Sequence, residues 1–337
     1  MKPRFTFLMA AYNAEKYMKP AIDSVVGQSI IDWELVIVIE KSSADDTVKI
    51  AQEYADKDAR IKVVENDNPG SVGRARNTGI RYTEGVFIQS IDADDILSPD
   101  FLEKANEVIT KHDDVDIICP IACYIDENGR RGEEIGENRR YIGEIISGEE
   151  AFELSINWDI HGWVMLRSEI LKSYNYDVGT FNAEEATGRK HFFMARQVAF
   201  TDSVYYYRRF NDSKSRQPEN RAKWFESLYT DEDIFDYAIS EKMAGMTVAK
   251  CSNRWAKSLV AYQSLYIREK HSLEKASEKI HDILEDSFKR FNKKGIQKGK
   301  SICNSMIKIS GGNYCTFSRI CYLYVIPWYV RRMFIKQ

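Results

Sequence analysis

The sequence predicts an α/β fold, a doubly wound, mixed but mainly parallel sheet flanked by helices, with a helical C-terminal extension. Three observations predict it. Over the first 120 residues short apolar runs alternate with segments of helical periodicity. Several of those runs, "ELVIVI" above all, are apolar at successive positions, as strands covered by helices on both faces must be. Past residue 216 the pattern changes to long helical stretches almost free of Pro and Gly up to about Arg290. That change places a domain boundary, with the sheet domain over 1–215 and a helical region with a basic, aromatic tail over 216–337.

The elements follow in order. "FTFLMAA" reads as a buried first strand, and a helix from about Ala14 carries Tyr17, Ala21 and Val25 on one face. "WELVIVI" leads to a helix from about Ala44, "IKVVE" to one from about Ser71, and "GVFIQSI" to one from about Pro99, before "VDIICPIACYI". From Gly129 to Ile146 charge and glycine dominate, which predicts an exposed excursion. Order resumes with a helix near Glu149, the stretch "HGWVMLRSEIL", a helix from about Glu184 and a strand "SVYYYRRF". The opening "MKPRFTFLMAAYNAEKYM" places a basic start before an apolar run, as export signals do. The run spans only about seven residues and continues into a helix pattern, so a strand is expected and not a signal. Doubly wound sheets bind ligands beyond the carboxyl ends of their strands, and "AAYN", "EKSS" and "DADD" stand at such ends.

At 337 residues, 44% hydrophobic and 29% charged, the chain can bury one large or two ordinary cores. A net charge of -3 argues against nucleic acid as the main partner. The charge is unevenly spread: after Asp286 there is no Asp or Glu, while Lys289, Arg290, Lys293, Lys294, Lys298, Lys300, Lys308, Arg319, Arg331, Arg332 and Lys336 follow. The end "NYCTFSRICYLYVIPWYVRRMFIKQ" is too broken by Arg319 and Pro327 to span a bilayer. It reads either as a segment lying on an anionic membrane or as a last helix packed on the core or on a partner subunit; the excess charge favours the membrane. Six cysteines without a CxxC pair indicate neither a zinc site nor a disulfide framework. Reduced thiols fit a cytosol, so the expected location is cytoplasmic, with peripheral contact at the inner face of the cell membrane.

The stretch "FIQSIDADDILSPD" crowds Asp92, Asp94 and Asp95 together. Residues i and i+2 of a strand share a face, so Asp92 and Asp94 point together if the strand persists that far. Two carboxylates without His or Cys suit Mg²⁺ or Mn²⁺, and such an ion would take up the charge of a departing diphosphate. The competing reading is a solvated turn with Ser98 capping the next helix and Asp100 in its first turn. A DxD string alone is weak evidence, but three longer stretches in order change its weight. "AAYNAEKYMKPAIDSVVGQS", "WELVIVIEKSSADDT" and "ENDNPGSVGRARNTGIRYTEGVFIQSIDADDILSPDF" join a YN after the first strand, the set Gly70, Ala75, Arg76, Asn77 and Gly79, and then "DADD". In these the chain resembles the inverting glycosyltransferases of family 2, of bacterial surface-polysaccharide type, on the GT-A fold, over roughly its first 215 residues.

The resemblance implies a nucleotide-diphosphate-sugar donor. Tyr12 and the backbone of Ala11 would lie beside the base, Arg76 would face the base or phosphates, Asp92 would contact the ribose or donor sugar, and Asp94 would ligate Mn²⁺ or Mg²⁺. Independently, glycines at 70, 73 and 79 permit backbone conformations and close approaches that other residues resist, and arginine suits phosphate. By itself "GRARN" reads as a solvent-facing helix start. Where relatives carry an acidic pair after the second strand, this chain has Glu40 and Lys41. Glu40 can read the N3 proton of a uracil at one methylene's greater reach; Lys41 either meets the diphosphate or points to water.

Displacement at an anomeric carbon also needs a base for the acceptor hydroxyl. In "TFNAEEATGRKHFFMARQVAFTDSVYYYRR", Glu184 and Glu185 stand where the family carries its acidic pair, ahead of Tyr205, Tyr207 and Arg208. Adjacent helix residues point about 100° apart, so one of the two faces the site. Asn182 as N-cap with Glu185 at N3 is a competing structural reading; it leaves Glu184 as base, whereas family spacing favours Glu185. Arg208, Arg209 and Ser213 either close over the diphosphate or belong to an ordinary edge strand. His161, between Trp158 and Trp163, lies where relatives place acceptor-proximal residues, but a lone histidine there also fits a packed core position.

The implied function is a metal-dependent inverting transfer of a sugar from a nucleotide donor, expected to be a UDP-sugar, to a hydroxyl of a glycan or lipid-linked acceptor in cell-surface polysaccharide synthesis. Nucleotidyl transfer would need a glycine-rich basic loop after the first strand, and "AAYNAEKY" has no glycine. A degenerate relative that binds a nucleotide sugar or glycan without turnover fits the altered "EKSS" and "AEEA"; the intact "DADD" argues against it.

Overall fold

The computed structural model describes residues 2–209, 221–269, 276–295 and 298–323. They fall into two compact units. One comprises the described residues up to Val178 and again from Thr187 to 209; the other comprises Gly179–Ala186 and the described residues from 221 onward.

In the first unit the chain runs β1 (Phe5–Ala11), α1 (Glu15–Val26), β2 (Trp33–Ile39), α2 (Thr47–Ala55), β3 (Ile61–Glu65), α3 (Val72–Ile80), β4 (Phe87–Asp92), β5 (Ile96–Leu97), α4 (Phe101–Lys111) and β6 (Val115–Ile125). It continues through β7 (Arg131–Ile135), a 3-10 turn at Asn138–Tyr141, β8 (Ile145–Ser147), α5 (Gly148–Ser155), β9 (Met165–Arg167), α6 (Ser168–Ser173), α7 (Ala183–Met194), whose first turn counts with the other unit, and β10 (Gln197–Arg208). The strands form one mixed sheet in the order β3-β2-β1-β4-β9-β6-β10-β5, with β7 beside β6 and β8 beside β10. β1 to β4 pair in parallel, as do β6 and β10; β9 runs antiparallel between β4 and β6.

Burial explains the pattern. Every position of β2 is buried, as a strand covered on both faces requires. On α1, Met18, Ala21, Ile22 and Val25 are buried at the i, i+3, i+4, i+7 spacing of one helix face. Met18, and not the expected Tyr17, belongs to that face: Tyr17 is half-buried, with the Lys16 ammonium 4.8 Å and the Arg208 guanidinium 5.2 Å from its ring centre. α3 approaches the sheet closely at Gly79, where an added Cβ would lie 2.3 Å from Leu8 Cδ1 and 2.6 Å from Val38 Cγ2.

Several expectations change. The excursion after Gly129 adds β7 and β8 to the sheet; β7 is exposed almost throughout, so nothing apolar marks it. The second helix begins at Thr47, three residues after Ala44. Ser98 does not cap α4, which starts after Asp100; its hydroxyl instead donates to Asp100 Oδ1 at 2.6 Å and accepts from Val204 N. β10 lies between β6 and β5 and is no edge strand.

The second unit is built from α8 (Arg221–Phe225), α9 (Ser227–Ser240), α10 (Gly245–Glu269), α11 (Ala276–Lys294) and α12 (Ile302–Ile309), with a further helical stretch over 314–323. α10 packs against α9, α11 and α12. Trp255, Leu259, Leu284, Phe288, Phe291 and Phe317 are fully buried, with Trp255 edge-on to Phe291 and its indole N–H donated to Ser287 Oγ at 3.1 Å. Among the described residues no helix is long and apolar enough to cross a membrane. Ser213 and residues 324–337 of the expected membrane segment lie outside the described residues.

Candidate active site

The parallel register brings the ends of four strands level: Ala11 pairs with Ile39, Ala10 with Asp92, and Ile39 with Glu65. Ala11, Glu40, Asn66 and Asp92 therefore leave the sheet along one edge. Ala11 is buried and its carbonyl accepts from Glu40 N at 3.3 Å; Tyr12, the next residue, is 49% exposed. The loops after β1 and β2 are latched: Asn13, in left-handed backbone, accepts from Ala44 N at 2.8 Å, and Thr47 Oγ1 accepts from Ala14 N at 2.7 Å. Glu40 Oε1 accepts from Asn66 Nδ2 at 3.0 Å, and Asn66 Oδ1 in turn accepts from Thr78 of α3. Lys41 is held in an exposed ion pair with Glu65.

α3 opens with Gly70 at φ +123° and with Ser71, whose hydroxyl accepts from Arg74 N. It carries the buried Arg76 to Asp92, with Nη2 to Oδ1 at 2.6 Å. Asn77 grips Tyr176 by both backbone groups, donating to its carbonyl at 2.8 Å and accepting from its N–H at 2.9 Å. This sets the Tyr176 ring 5.2 Å from the Arg76 guanidinium and its hydroxyl 3.0 Å from Ser90 Oγ on β4. Sequence reading found Arg76 but missed Tyr176; the only signal was the asparagine beside Arg76, a side chain able to clamp extended backbone.

The three aspartates take different roles. Asp95 is fully buried and accepts from the Tyr205 hydroxyl at 2.7 Å and Arg208 N at 2.8 Å; burial and the charges of Asp92 and Asp94 push its carboxyl well up. Arg208 Nε donates to the Asp94 carbonyl at 2.9 Å, so β10 and the aspartate turn hold each other. Asp92 and Asp94 stay partly exposed. Burial, then the charge of Asp92, raises Asp94 to about 6. The Asp94 carboxyl, raised by burial and by its neighbour's charge, is one that a cation would relieve, and an all-oxygen donor set fits Mg²⁺ or Mn²⁺. Among the described residues no three His, Cys, Asp or Glu side chains are grouped to hold an ion by themselves. An ion at Asp94 therefore needs oxygens from a ligand or water, as Mg²⁺ sites on diphosphates commonly do.

Glu184 and Glu185, in the first turn of α7, belong to the second unit, and Ala11, Glu40, Arg76, Asp92 and Asp94 belong to the first. Asn182 has left-handed backbone at φ 60° and its carbonyl accepts from Glu185 N at 2.9 Å. The Glu185 carboxylate is engaged by Arg254 at 2.5 Å, and Arg254 also donates to Asp231. Burial would lower the Arg254 guanidinium, but the two carboxylates outweigh it and raise it. His161 is buried, as a packed histidine would be; its Nδ1 accepts from Trp163 N at 3.3 Å. Burial drops it to about 3, against the opposing pull of the Pro120 carbonyl.

The chain is 32% identical over 177 residues to the uncharacterized glycosyltransferase MJ1057 of Methanocaldococcus jannaschii, covering 52% of this chain and 60% of that protein. It is 37% identical over 129 residues to the putative glycosyltransferase EpsH of Bacillus subtilis, covering 38% of this chain and 36% of EpsH. The matches thus span less than two thirds of either relative's length. Among solved structures, residues 1–349 of S. aureus TarS superpose with a TM-score of 0.69 at 18% identity, covering 95% of this chain and 91% of that one; the same protein has been crystallised with UDP-GlcNAc. That likeness shows the fold, a GT-A mixed sheet followed by a helical C-terminal region. The family described as Glycosyl transferase family 2 matches residues 6–174, half of the sequence, and the chain belongs to that family.

Proposed function

We propose that the protein is a glycosyltransferase that moves a sugar from a nucleotide-diphosphate donor, a UDP-sugar, to a hydroxyl of a glycan or lipid-linked acceptor in cell-surface polysaccharide synthesis, with inversion at the anomeric carbon. The observation that carries the reading is the carboxylate cluster at the end of β4, with Arg76 paired to Asp92 and Asp94 held up at about 6. The relatives' names support glycosyl transfer, and the UDP-GlcNAc complex of TarS supports the donor class. The sheet domain, 1–215, carries Ala11 and Tyr12 beside the base, Glu40 toward its polar edge, Arg76 toward the phosphates and Asp92 toward the ribose or sugar. Asp94 would hold Mn²⁺ or Mg²⁺, which when bound offsets the charge of the leaving diphosphate. The helical region, 216–337, supplies a basic, apolar surface for peripheral contact with anionic membrane.

For the base, Glu184 or Glu185 takes the acceptor's proton; the Arg254 pair engages one oxygen of Glu185. Glu184→Gln or Glu185→Gln, whichever removes the base, is expected to lower kcat by about 100-fold or more. Glu185→Gln is also expected to lower Tm. Equal activity of both variants and wild type removes the assignment.

The donor reading is tested by thermal shift with UDP, GDP and other nucleoside diphosphates, with and without Mn²⁺. UDP is expected to stabilise the chain more with Mn²⁺ than without, and Asp94→Asn to erase the difference. A shift that ignores both the metal and Asp94 would refute the metal role. UDP binding without transfer to any acceptor would favour a degenerate, binding-only relative.

A further inference from the structure

We propose that Trp158, backed by Trp163 and Tyr207 in the first unit, is a saccharide platform that holds a pyranose ring of the acceptor glycan. The acceptor role rests on the glycosyltransferase reading above; the binding of sugar does not.

Trp158 combines two features that packing alone does not call for. Its backbone is left-handed, at φ 66°, a conformation that bulky side chains occupy only when the surroundings impose it. Its indole nevertheless remains 40% exposed. The turn that holds it is built deliberately: Trp158 N donates to Ser155 O at 3.1 Å, Asp159 N to Leu154 O at 3.2 Å, and Glu137 N to Asp159 O at 2.6 Å. Gly136 passes so close that an added Cβ would lie 3.2 Å from the Trp158 carbonyl. Buried Arg189 sets its guanidinium 5.3 Å from the indole centre while donating Nε to Ser155 O. A cation over the ring orients the indole, while the 40% exposure of the residue leaves part of it open to a ligand.

Rings continue inward from Trp158. Its centroid is 6.3 Å from that of Trp163, which lies 5.1 Å from Tyr207 and 6.0 Å from Tyr205. Tyr207 stands within the field of the aspartates: burial, then Asp95, Asp92 and Asp94, raises its hydroxyl. The row therefore runs from the carboxylate cluster to an exposed indole. Room lies beside it: among the described residues nothing comes within 4 Å of an added Cβ at Gly162, and at Gly188 the nearest atom is the Gly162 Cα at 4.0 Å. His161 fixes Trp163 through its backbone N–H and lies 5.4 Å from its ring. A pyranose offers a face of polarised C–H groups that suits the negative face of an aromatic ring. Asn157 and Asp159, flanking Trp158 at the surface, can meet hydroxyls at the ring's edge.

The test is saturation-transfer NMR on the full chain with a panel of methyl pyranosides and disaccharides, repeated at saturating UDP and Mn²⁺. At least one sugar is expected to give signals from C–H protons of a single ring face, and UDP should not displace it. Trp158→Gly, which relaxes the left-handed backbone, is expected to weaken that sugar's binding by about tenfold or more with Tm no lower and the UDP thermal shift intact. Trp158→Tyr should retain the signals in weakened form. The proposal is overturned if no sugar of the panel binds wild type, if Trp158→Gly binds as wild type does, or if Trp158→Gly lowers Tm, which would make the indole a packing residue. Absence of a UDP shift in wild type would sink the donor reading and leave this one standing.

Discussion

Neighbouring aspartates in "DADD" are divided by their surroundings: Asp95 is buried, whereas Asp92 and Asp94 stay partly exposed. Asp95 has no route to solvent and is satisfied by Tyr205 and Arg208, so its chemistry is consumed by the fold. Tyr205→Phe leaves a buried carboxyl short of one hydrogen bond, and about 1–3 kcal/mol of stability is expected to be lost, read from the urea midpoint; Asp94→Asn should spare that midpoint. Histidines provide a second prediction at this scale. His191, whose Nε2 lies 2.7 Å from the Tyr174 carbonyl, is lowered by burial to about 4, the Tyr174 carbonyl and Asp177 opposing the shift and Lys190 adding to it. An unfolded histidine titrates near 6.5, so from there down toward 4 the unfolded chain binds the extra proton. The stabilisation is full above that window and is lost as pH falls through it, by about 1.4 kcal/mol per pH unit. His191→Gln should flatten the fall of Tm across that window relative to wild type; an unchanged profile would refute the assignment.

Elements were legible where one physical cause dominates. Strands buried on both faces show as apolar runs, so β1, β2, β4 and β6 stand out in the sequence, and α1 and α4 follow from apolar spacing. β7 was illegible because its pairing with β6 is a backbone matter and its side chains face water. β9 spans only three residues inside "HGWVMLRSEIL", too few for alternation to register. The grouping of Gly179–Ala186 with the helical unit rests on long-range partners, Arg254 on Glu185 and the Thr230 hydroxyl on Phe181 O, which no local pattern announces. At the site, Asp92, Asp94 and Arg76 were readable as chemistry, whereas Tyr176, Asn66 and the exposed stance of Trp158 depend on tertiary contacts and backbone conformation. The glycine motif gains a mechanical meaning at Gly79, where α3 nearly touches Leu8 and Val38. Gly79→Ala must push the helix that bears Arg76 away from β1 and β2. A loss of about 1–3 kcal/mol is expected from overpacking, together with a weaker UDP thermal shift; a variant as stable as wild type would show that the contact yields freely.

Charge distribution across the whole molecule separates its two ends more than the net value of -3 conveys, because all 51 acidic residues lie at or before Asp286. Of the described basic residues beyond that point, Lys289, Arg290 and Lys294 are engaged with acids of the helical unit. Among the described residues no ion pair engages Lys293, Lys298, Lys300, Lys308 or Arg319. α12 adds apolar contacts of the right kind: Asn304, Met306 and Ile307 are buried, while Ile302 and Ile309, seven residues apart and so on one face, are 77% and 75% exposed beside Lys308. Exposed isoleucines flanked by lysines suit a bilayer boundary better than water, and each basic residue near an anionic surface contributes about 1 kcal/mol that salt screens. The full chain is therefore expected to float with vesicles containing anionic phosphatidylglycerol and not with phosphatidylcholine alone, and to be released at high salt. Ile302→Asp with Ile309→Asp should reduce flotation while keeping the UDP thermal shift, which serves as the folding control. Equal flotation on both vesicle types, or flotation indifferent to the double substitution, would assign this face to protein contacts instead, and a concentration-dependent rise in mass by light scattering would then identify a second copy as the partner.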